Sequence, residues 1–379
     1  MNNKISLYIH IPFCKKKCNY CDFVSYQNQE SLIDAYVESL LHEIEMVSEQ
    51  IKKYKIKTIF IGGGTPSYLS AENISKIVNK CREILNLEEL DEFSIEVNPG
   101  TIDENKLTIY RRLGISRLSI GLQACQNKLL KTIGRIHTYQ EFLESYQLAR
   151  KAGFDNINID LIFGLPGQTL VQWRETLEEV VGLRPEHLSC YSLKVEENTP
   201  FAKMLEQKQI ILLDEDVERE MYHEAIAFLK KNGYVHYEIS NFSLPGKECK
   251  HNLVYWKQER YLGLGAGAHS YINEQRFSNK TNLKEYMDSV NSDALPRENF
   301  IEMNKNELIS EYVILGLRLI GGVSRKEFRK KFGIEIDEIF EKQIAKMSKL
   351  RLLDSNDKRV KLTTKGLDIA NQVMIEFLF

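Results

Sequence analysis

The chain alternates between short runs of β-forming residues and longer runs whose apolar residues recur about every 3.6 positions. "SLYIHIP", "KTIFIGG", "EFSIEVN", "ISRLSIG", "NINIDLIFG" and "HLSCYSL" predict six strands, rich in Ile, Leu, Val, Phe and Tyr and mostly bounded by Gly, Pro or Asn. Between the first two, Leu32, Tyr36, Leu40, Ile44, Val47 and Ile51 fall on one helical face. Similar spacing predicts helices at about 70–85, 103–113, 139–151 and 169–182. Strict alternation implies parallel strands joined by right-handed crossovers. A closed or partly closed β/α barrel and an open doubly wound sheet both suit that pattern. After about residue 200 the pattern loosens into a helix near 214–232, then "YVHYEISNFSLPGKECKHNLVYW" and "YLGLGAGAHSY". Beyond about residue 300, "KNELISEYVILGLRLIGGVS" and "RKEFRKKFG" predict helices. "LRLLDSNDKRVKLTTKGLDIANQVMIEFLF" predicts a hairpin and a final helix, completing a small winged-helix-like unit. The expected division is 1–235, a connecting region 236–299, and 300–379.

Charge narrows the classes. With 51 basic against 53 acidic residues and a net charge of −2, no general attraction for nucleic acid or anionic membranes is expected. Basic residues in the C-terminal unit are interspersed with acids, so DNA is not an expected partner. No run approaches the roughly 18–20 apolar residues of a membrane span. The N-terminus enters a strand-like run without a signal-peptide apolar segment. Seven cysteines are too few, and odd in number, for a disulfide scaffold. Clustered thiols without export signals read as metal ligands in a reducing, cytoplasmic setting.

Three of those thiols, Cys14, Cys18 and Cys21, stand at C-x3-C-x2-C spacing directly after the first strand. Structural zinc wants four Cys or His ligands, usually as two pairs, and there is no second C-x2-C. An iron–sulfur cube is commonly held by four thiolates, so three leave one iron open to an exogenous molecule. Other polar or backbone-exposing residues fall at the ends of successive strands, where β/α folds gather their chemistry. Gly62–Gly63–Gly64 close the second strand, Glu96, Asn98 and Pro99 the third, and Gln123 the fourth, while Asp160 lies in the fifth. Glycines there admit close backbone approach to a ligand. They do not form the G-x-G-x-x-G dinucleotide fingerprint. Glu96 suits a ligand amine or hydroxyl, and Arg135 in "GRIH" suits a carboxylate.

At this spacing, ahead of a β/α array, the triplet resembles the radical S-adenosylmethionine (SAM) superfamily, whose open iron chelates the amino and carboxylate groups of SAM before reductive cleavage to a 5′-deoxyadenosyl radical. "YIHIPFCKKKCNYCDF", "GGGTP", "SIGLQ", "GLPGQT" and "GLGAGAHS" together resemble its coproporphyrinogen-dehydrogenase-like branch. The C-terminal unit resembles that branch too, so the likeness covers nearly the whole chain. It implies a partial β/α barrel and a [4Fe–4S] cluster on Cys14, Cys18 and Cys21. It also implies a SAM pocket built from Tyr8, Gly63, Gly64, Thr65, Glu96, Gln123, Arg135 and Asp160, with Tyr20 and Lys194 as lesser candidates.

Decarboxylases of that branch carry another cysteine two places beyond the third, where this chain has Phe23, and an extension before the first strand, whereas this chain has seven residues before Tyr8. Both departures resemble the HemW-type haem chaperones instead. "KHNLVYW" holds their H-N-x-x-Y-W pattern, which implies haem at His251, with Tyr255 and Trp256 as flat apolar area and Asn252 fixing the imidazole tautomer. Cys249 stands nearby. The resemblance therefore implies a cytoplasmic carrier that binds a cluster, SAM and haem. Its expected partners are acceptor haem proteins, with membrane-bound respiratory enzymes as one class. The alternative is an oxygen-independent coproporphyrinogen III oxidase removing propionate carboxylates.

Overall fold

The computed structural model describes residues 3–379. Residues 1 and 2, which the expected stretch 1–235 includes, lie outside the described residues. All six expected strands form: β1 (Lys4–Ile11), β2 (Lys55–Gly63), β3 (Glu92–Val97), β4 (Arg117–Gln123), β5 (Ile157–Phe163) and β6 (His187–Ser192). They pair in chain order, every neighbour parallel. Central strands are buried on both faces, and all seven residues of β4 are covered, which is why they read as nearly continuous apolar runs.

Crossover helices α1 (Ile33–Ile51), α2 (Ala71–Ile84), α3 (Glu104–Arg112), α4 (Asn127–Thr132), α5 (Tyr139–Lys151) and α6 (Leu170–Gly182) cover that array. Each longer crossover after α1 starts on a side chain that accepts from the helix's third N–H. These are Ser70, Asp103, Thr138 and Thr169. The apolar stripe of α1 buries Tyr36, Val37, Leu40, Ile44, Val47 and Ile51. Helices α7 (Pro200–Glu206) and α8 (Glu215–Lys231) then lead away from β6.

The stretch expected as a connecting region extends this same sheet at both edges. β7 (Val235–Glu238) and β8 (Asn241–Ser243) form a hairpin laid antiparallel on β6. After α9 (Lys250–Trp256), β9 (Tyr261–Leu264) joins the other edge, parallel to β1. β10 (His269–Ile272), β11 (Gln275–Asn279) and β12 (Arg297–Glu302) continue it antiparallel, giving twelve strands. α10 (Leu283–Asn291) packs beside α1. Glu43 of α1 fastens the addition. Its buried carboxyl accepts from Gly265 N–H at 2.7 Å, Asn279 Nδ2 at 2.6 Å and the Tyr286 hydroxyl at 2.7 Å.

The C-terminal unit runs α11 (Lys305–Leu317), β13 (Val323–Ser324), α12 (Arg325–Phe332), α13 (Ile336–Lys349), β14 (Leu353–Ser355) and β15 (Arg359–Leu362). Its strands order β13-β15-β14, all antiparallel, the winged-helix arrangement, around its own core of Val313, Phe328, Phe340 and Val360. α13, not expected from the pattern, is capped by Glu335 and interrupted at Phe340.

Candidate functional site

The loop carrying the cysteines is closed by its own backbone. Cys14 N–H donates to Tyr26 C=O at 2.9 Å, and Tyr26 N–H donates to Pro12 C=O at 2.7 Å. Against it lies the glycine loop after β2, whose Gly64 and Thr65 N–H groups donate to Ile11 C=O and Phe13 C=O at 2.8 and 2.9 Å. A Cβ on Gly64 would stand 2.8 Å from Phe13 O and 3.0 Å from Cys14 Sγ, so only glycine allows this approach. On the far side, Asn19 N–H and Nδ2 donate to Ile133 C=O and Thr132 C=O, both at 3.0 Å.

Cys14, Cys18 and Cys21 line one cavity of about 330 Å³ at the C-terminal ends of the strands. Among the described residues, no three His, Cys, Asp or Glu side chains converge as a cage for one ion. The thiols instead share the wall of a larger space. Thr65 Oγ1 donates to Cys14 Sγ at 3.4 Å, and Arg135 Nη1 lies 3.7 Å from Cys18 Sγ. Burial raises the Cys14 thiol and pushes Cys21 up to about 11, so both keep their protons until a metal displaces them.

Gly63, Gly64, Thr65, Glu96, Gln123, Arg135 and Asp160 all line that cavity, as do Tyr20 and Lys194. Asn98 links two of them. Its Nδ2 donates to Thr65 Oγ1 at 2.8 Å, and its Oδ1 accepts from Arg135 Nη2 at 2.9 Å. Sequence gave Asn98 no task beyond closing a strand; its position after Glu96 was the available signal. Gln123 ends β4 with φ +69, and its buried Oε1 has no partner. Glu96 accepts from Gly63 N–H at 3.0 Å, and burial, with the Asp160 charge second, pushes it up to about 8. Asp160 is raised by burial, although Ser119 Oγ and Asn158 Nδ2 donate to it at 3.0 and 2.8 Å. Lys194 pairs with Glu196 at 2.5 Å, and Phe23 stands at the rim, 62% exposed.

Tyr8 lies one layer further in, its hydroxyl 3.0 Å from His10 Nδ1 and its ring on Phe60. It lines two neighbouring cavities, of about 170 and 380 Å³, rather than the first. Glu96 lines all three.

The HNxxYW segment lies on α9. His251 is 1% exposed and sits in the wall of the 170 Å³ cavity. Its Nδ1 lies 2.7 Å from Thr58 Oγ1 and its Nε2 2.9 Å from the Tyr255 hydroxyl, so both ring nitrogens are engaged. Burial, then the Arg117 charge, lowers it to about 3 and keeps it neutral. Thr58 and Tyr255, not Asn252, orient the ring. Trp256 packs under the Arg318 guanidinium at 4.3 Å, and Cys249 is buried with Sγ 3.4 Å from Glu92.

Comparison with known proteins agrees with this geometry. The family described as "Radical SAM superfamily" matches residues 8–180, and the "HemN C-terminal domain" matches residues 303–369. "Heme chaperone HemW" of Bacillus subtilis (strain 168) is 39% identical over 374 residues, covering 98% of this chain and 99% of that protein. The protein of the same description from Lactococcus lactis subsp. lactis (strain IL1403) is 39% identical over 373 residues, covering 98% and 97%. The solved structure of Escherichia coli coproporphyrinogen III oxidase (HemN) superposes with a TM-score of 0.87 at 26% identity, covering 99% of this chain and 90% of that one. This chain belongs to the radical SAM superfamily and, within it, to the HemW family.

Proposed function

We propose that this protein is a haem chaperone that binds a [4Fe–4S] cluster, SAM and haem and passes haem to acceptor haem proteins. Superfamily membership implies the cluster and SAM. Haem is named in the relatives described as "Heme chaperone HemW", and a chaperone for haem implies its delivery. One observation supports the reading most. Three thiols share a wall of a cavity whose other lining includes an unpartnered Gln123 Oε1 and two part-buried carboxyls, Glu96 and Asp160.

In this reading Cys14, Cys18 and Cys21 hold the cluster, and the 330 Å³ cavity holds SAM. The bound cluster supplies an open iron and an electron. Gly63 and Gly64 let the ligand approach their backbone, and Thr65 sits against Cys14. Glu96, largely neutral below its raised pKa, ionises when a ligand ammonium arrives. Asp160, held by Ser119 and Asn158, receives ribose hydroxyls, while Gln123 accepts from a donor on the ligand. Arg135, fixed by Asn98, His137 and Gly121 C=O, keeps its Nη1 group beside Cys18 to meet a carboxylate. Tyr8 backs the pocket from the deeper layer, and the segment from His251 to Tyr255 walls the neighbouring space.

A second reading, coproporphyrinogen III oxidation, is favoured by the 0.87 superposition on HemN. Phe23 at the place of that branch's further cysteine argues against it. The deciding experiment titrates haem anaerobically into cluster-reconstituted protein, then offers loaded protein to an apo-haem acceptor. Saturation near one haem per chain with transfer supports the chaperone. Coproporphyrinogen III turnover with SAM and reductant, without saturable haem binding, would replace it.

A further inference from the structure

A haem iron needs an imidazole with a free nitrogen and open space before it. Seven of the chain's eight histidines lack that combination. His10 is hydrogen-bonded to Tyr8 and Val24 C=O, His187 to Asn158 and Tyr237, and His251 to Thr58 and Tyr255. His42, His223 and His236 engage Asp293, Asp368 and Ile239 C=O through Nε2, and none of the three lines any of the four cavities. His137 has an unpartnered Nε2, but it is buried beside a space of only about 20 Å³.

His269 alone remains among the described residues. It is exposed, its ring takes part in no hydrogen bond or ion pair, and it faces the 380 Å³ cavity. The fold puts it there deliberately. Gly267 adopts φ +73, and a Cβ on it would lie 2.8 Å from Val24 Cγ2, so the β9–β10 turn seats directly on the cysteine loop. His269 then opens β10 beside Tyr255 and Tyr261, with Phe23 at the same cavity. Two tyrosine rings packed edge to face at 4.7 Å give the cavity an aromatic, partly apolar side, and the volume lies within the range of small-molecule sites.

We propose that His269 is the axial ligand of haem iron, with the macrocycle lying along Tyr255 and Tyr261 in this cavity and His251 supporting that wall from behind. The inference rests on the chaperone reading and assigns its cargo site. An exposed ligand suits a carrier, because an acceptor reaches the iron without opening the fold. His251 acts as a positioning residue, holding the Tyr255 hydroxyl at 2.9 Å.

The test compares wild type, His269→Ala, His269→Gln and His251→Ala as full-length, cluster-reconstituted proteins. Haem binding is followed by absorbance, with iron, sulfide and SAM binding measured alongside to certify the fold. His269→Ala should keep cluster and SAM, lose the imidazole-ligated haem spectrum and weaken binding by roughly tenfold or more. Added free imidazole should restore the ligated spectrum in His269→Ala. His251→Ala should weaken binding while keeping that spectrum. Unchanged spectrum and affinity in both His269 variants, or loss of the ligated spectrum in His251→Ala alone, overturns this assignment while leaving the chaperone standing. No saturable binding by wild type overturns the chaperone reading itself.

Discussion

Glu96 stores a pH dependence that a single substitution exposes. Its folded pKa of about 8 lies above the ordinary 4.5, so its contribution to stability is complete below pH 4.5 and is lost as pH rises toward 8. The urea midpoint of cluster-free, SAM-free protein should therefore fall across that window, and Glu96→Gln should flatten the fall. An identical slope in the variant would assign the pH dependence to other groups. Gly64→Ala should cost about 1–3 kcal/mol, because its methyl meets Phe13 O and Cys14 Sγ. Iron content after reconstitution should fall with it. At this scale the sequence was informative where chemistry is local. The cysteine triplet and the three glycines are contiguous, so their joint cavity was legible. Asn98 was not, because its value lies in bridging Thr65 to Arg135, a relation among three loops. His251 was legible as a residue that matters, but its engagement with Thr58 depends on how α9 docks against β2.

Among the elements, β1 to β6 were readable because each is a buried parallel strand with an apolar run of its own. β7 to β12 escaped because they are short, edge-lying and interrupted by Gly, His and Asn, with pairing that only tertiary contacts decide. The clearest such contact is Glu43, which joins α1 to Gly265, Asn279 and Tyr286 across more than 200 positions of sequence. Removing it leaves the Gly265 N–H and the Tyr286 hydroxyl without their acceptor and Asn279 Nδ2 with Gly265 C=O alone. Glu43→Ala should lower stability by about 3–5 kcal/mol in denaturant melts and loosen the β9–β10 turn before the β2–β5 core. Hydrogen exchange would show this as early opening at 261–279. Uniform opening across the sheet would deny Glu43 its fastening role.

The described residues form a twelve-stranded sheet and a winged-helix unit that is fastened to both ends of its strand order. Ile239 N–H donates to Arg318 C=O and Ile320 N–H to Tyr237 C=O, both at 3.1 Å, while Glu311 receives Gln258 at 2.8 Å and Arg276 at 2.7 Å. Glu311→Ala should leave Gln258 and Arg276 without that partner and increase proteolytic nicking between the sheet and residues 305–317, without loss of cluster. Among the described residues no helix is long and apolar enough to cross a membrane.

Glu96 lines three cavities at once, so whatever occupies them shares one wall. An occupant that ionises or turns this carboxyl in the cofactor cavity alters a wall of the space beside His269. Linkage then demands symmetry: the factor by which SAM changes haem affinity must equal the factor by which haem changes SAM affinity. Equal factors well away from one would give the protein a heterotropic catch, with cofactor loading setting how firmly the cargo is gripped. Equal factors of one would mean that the two ligands share a wall yet exchange no information through it.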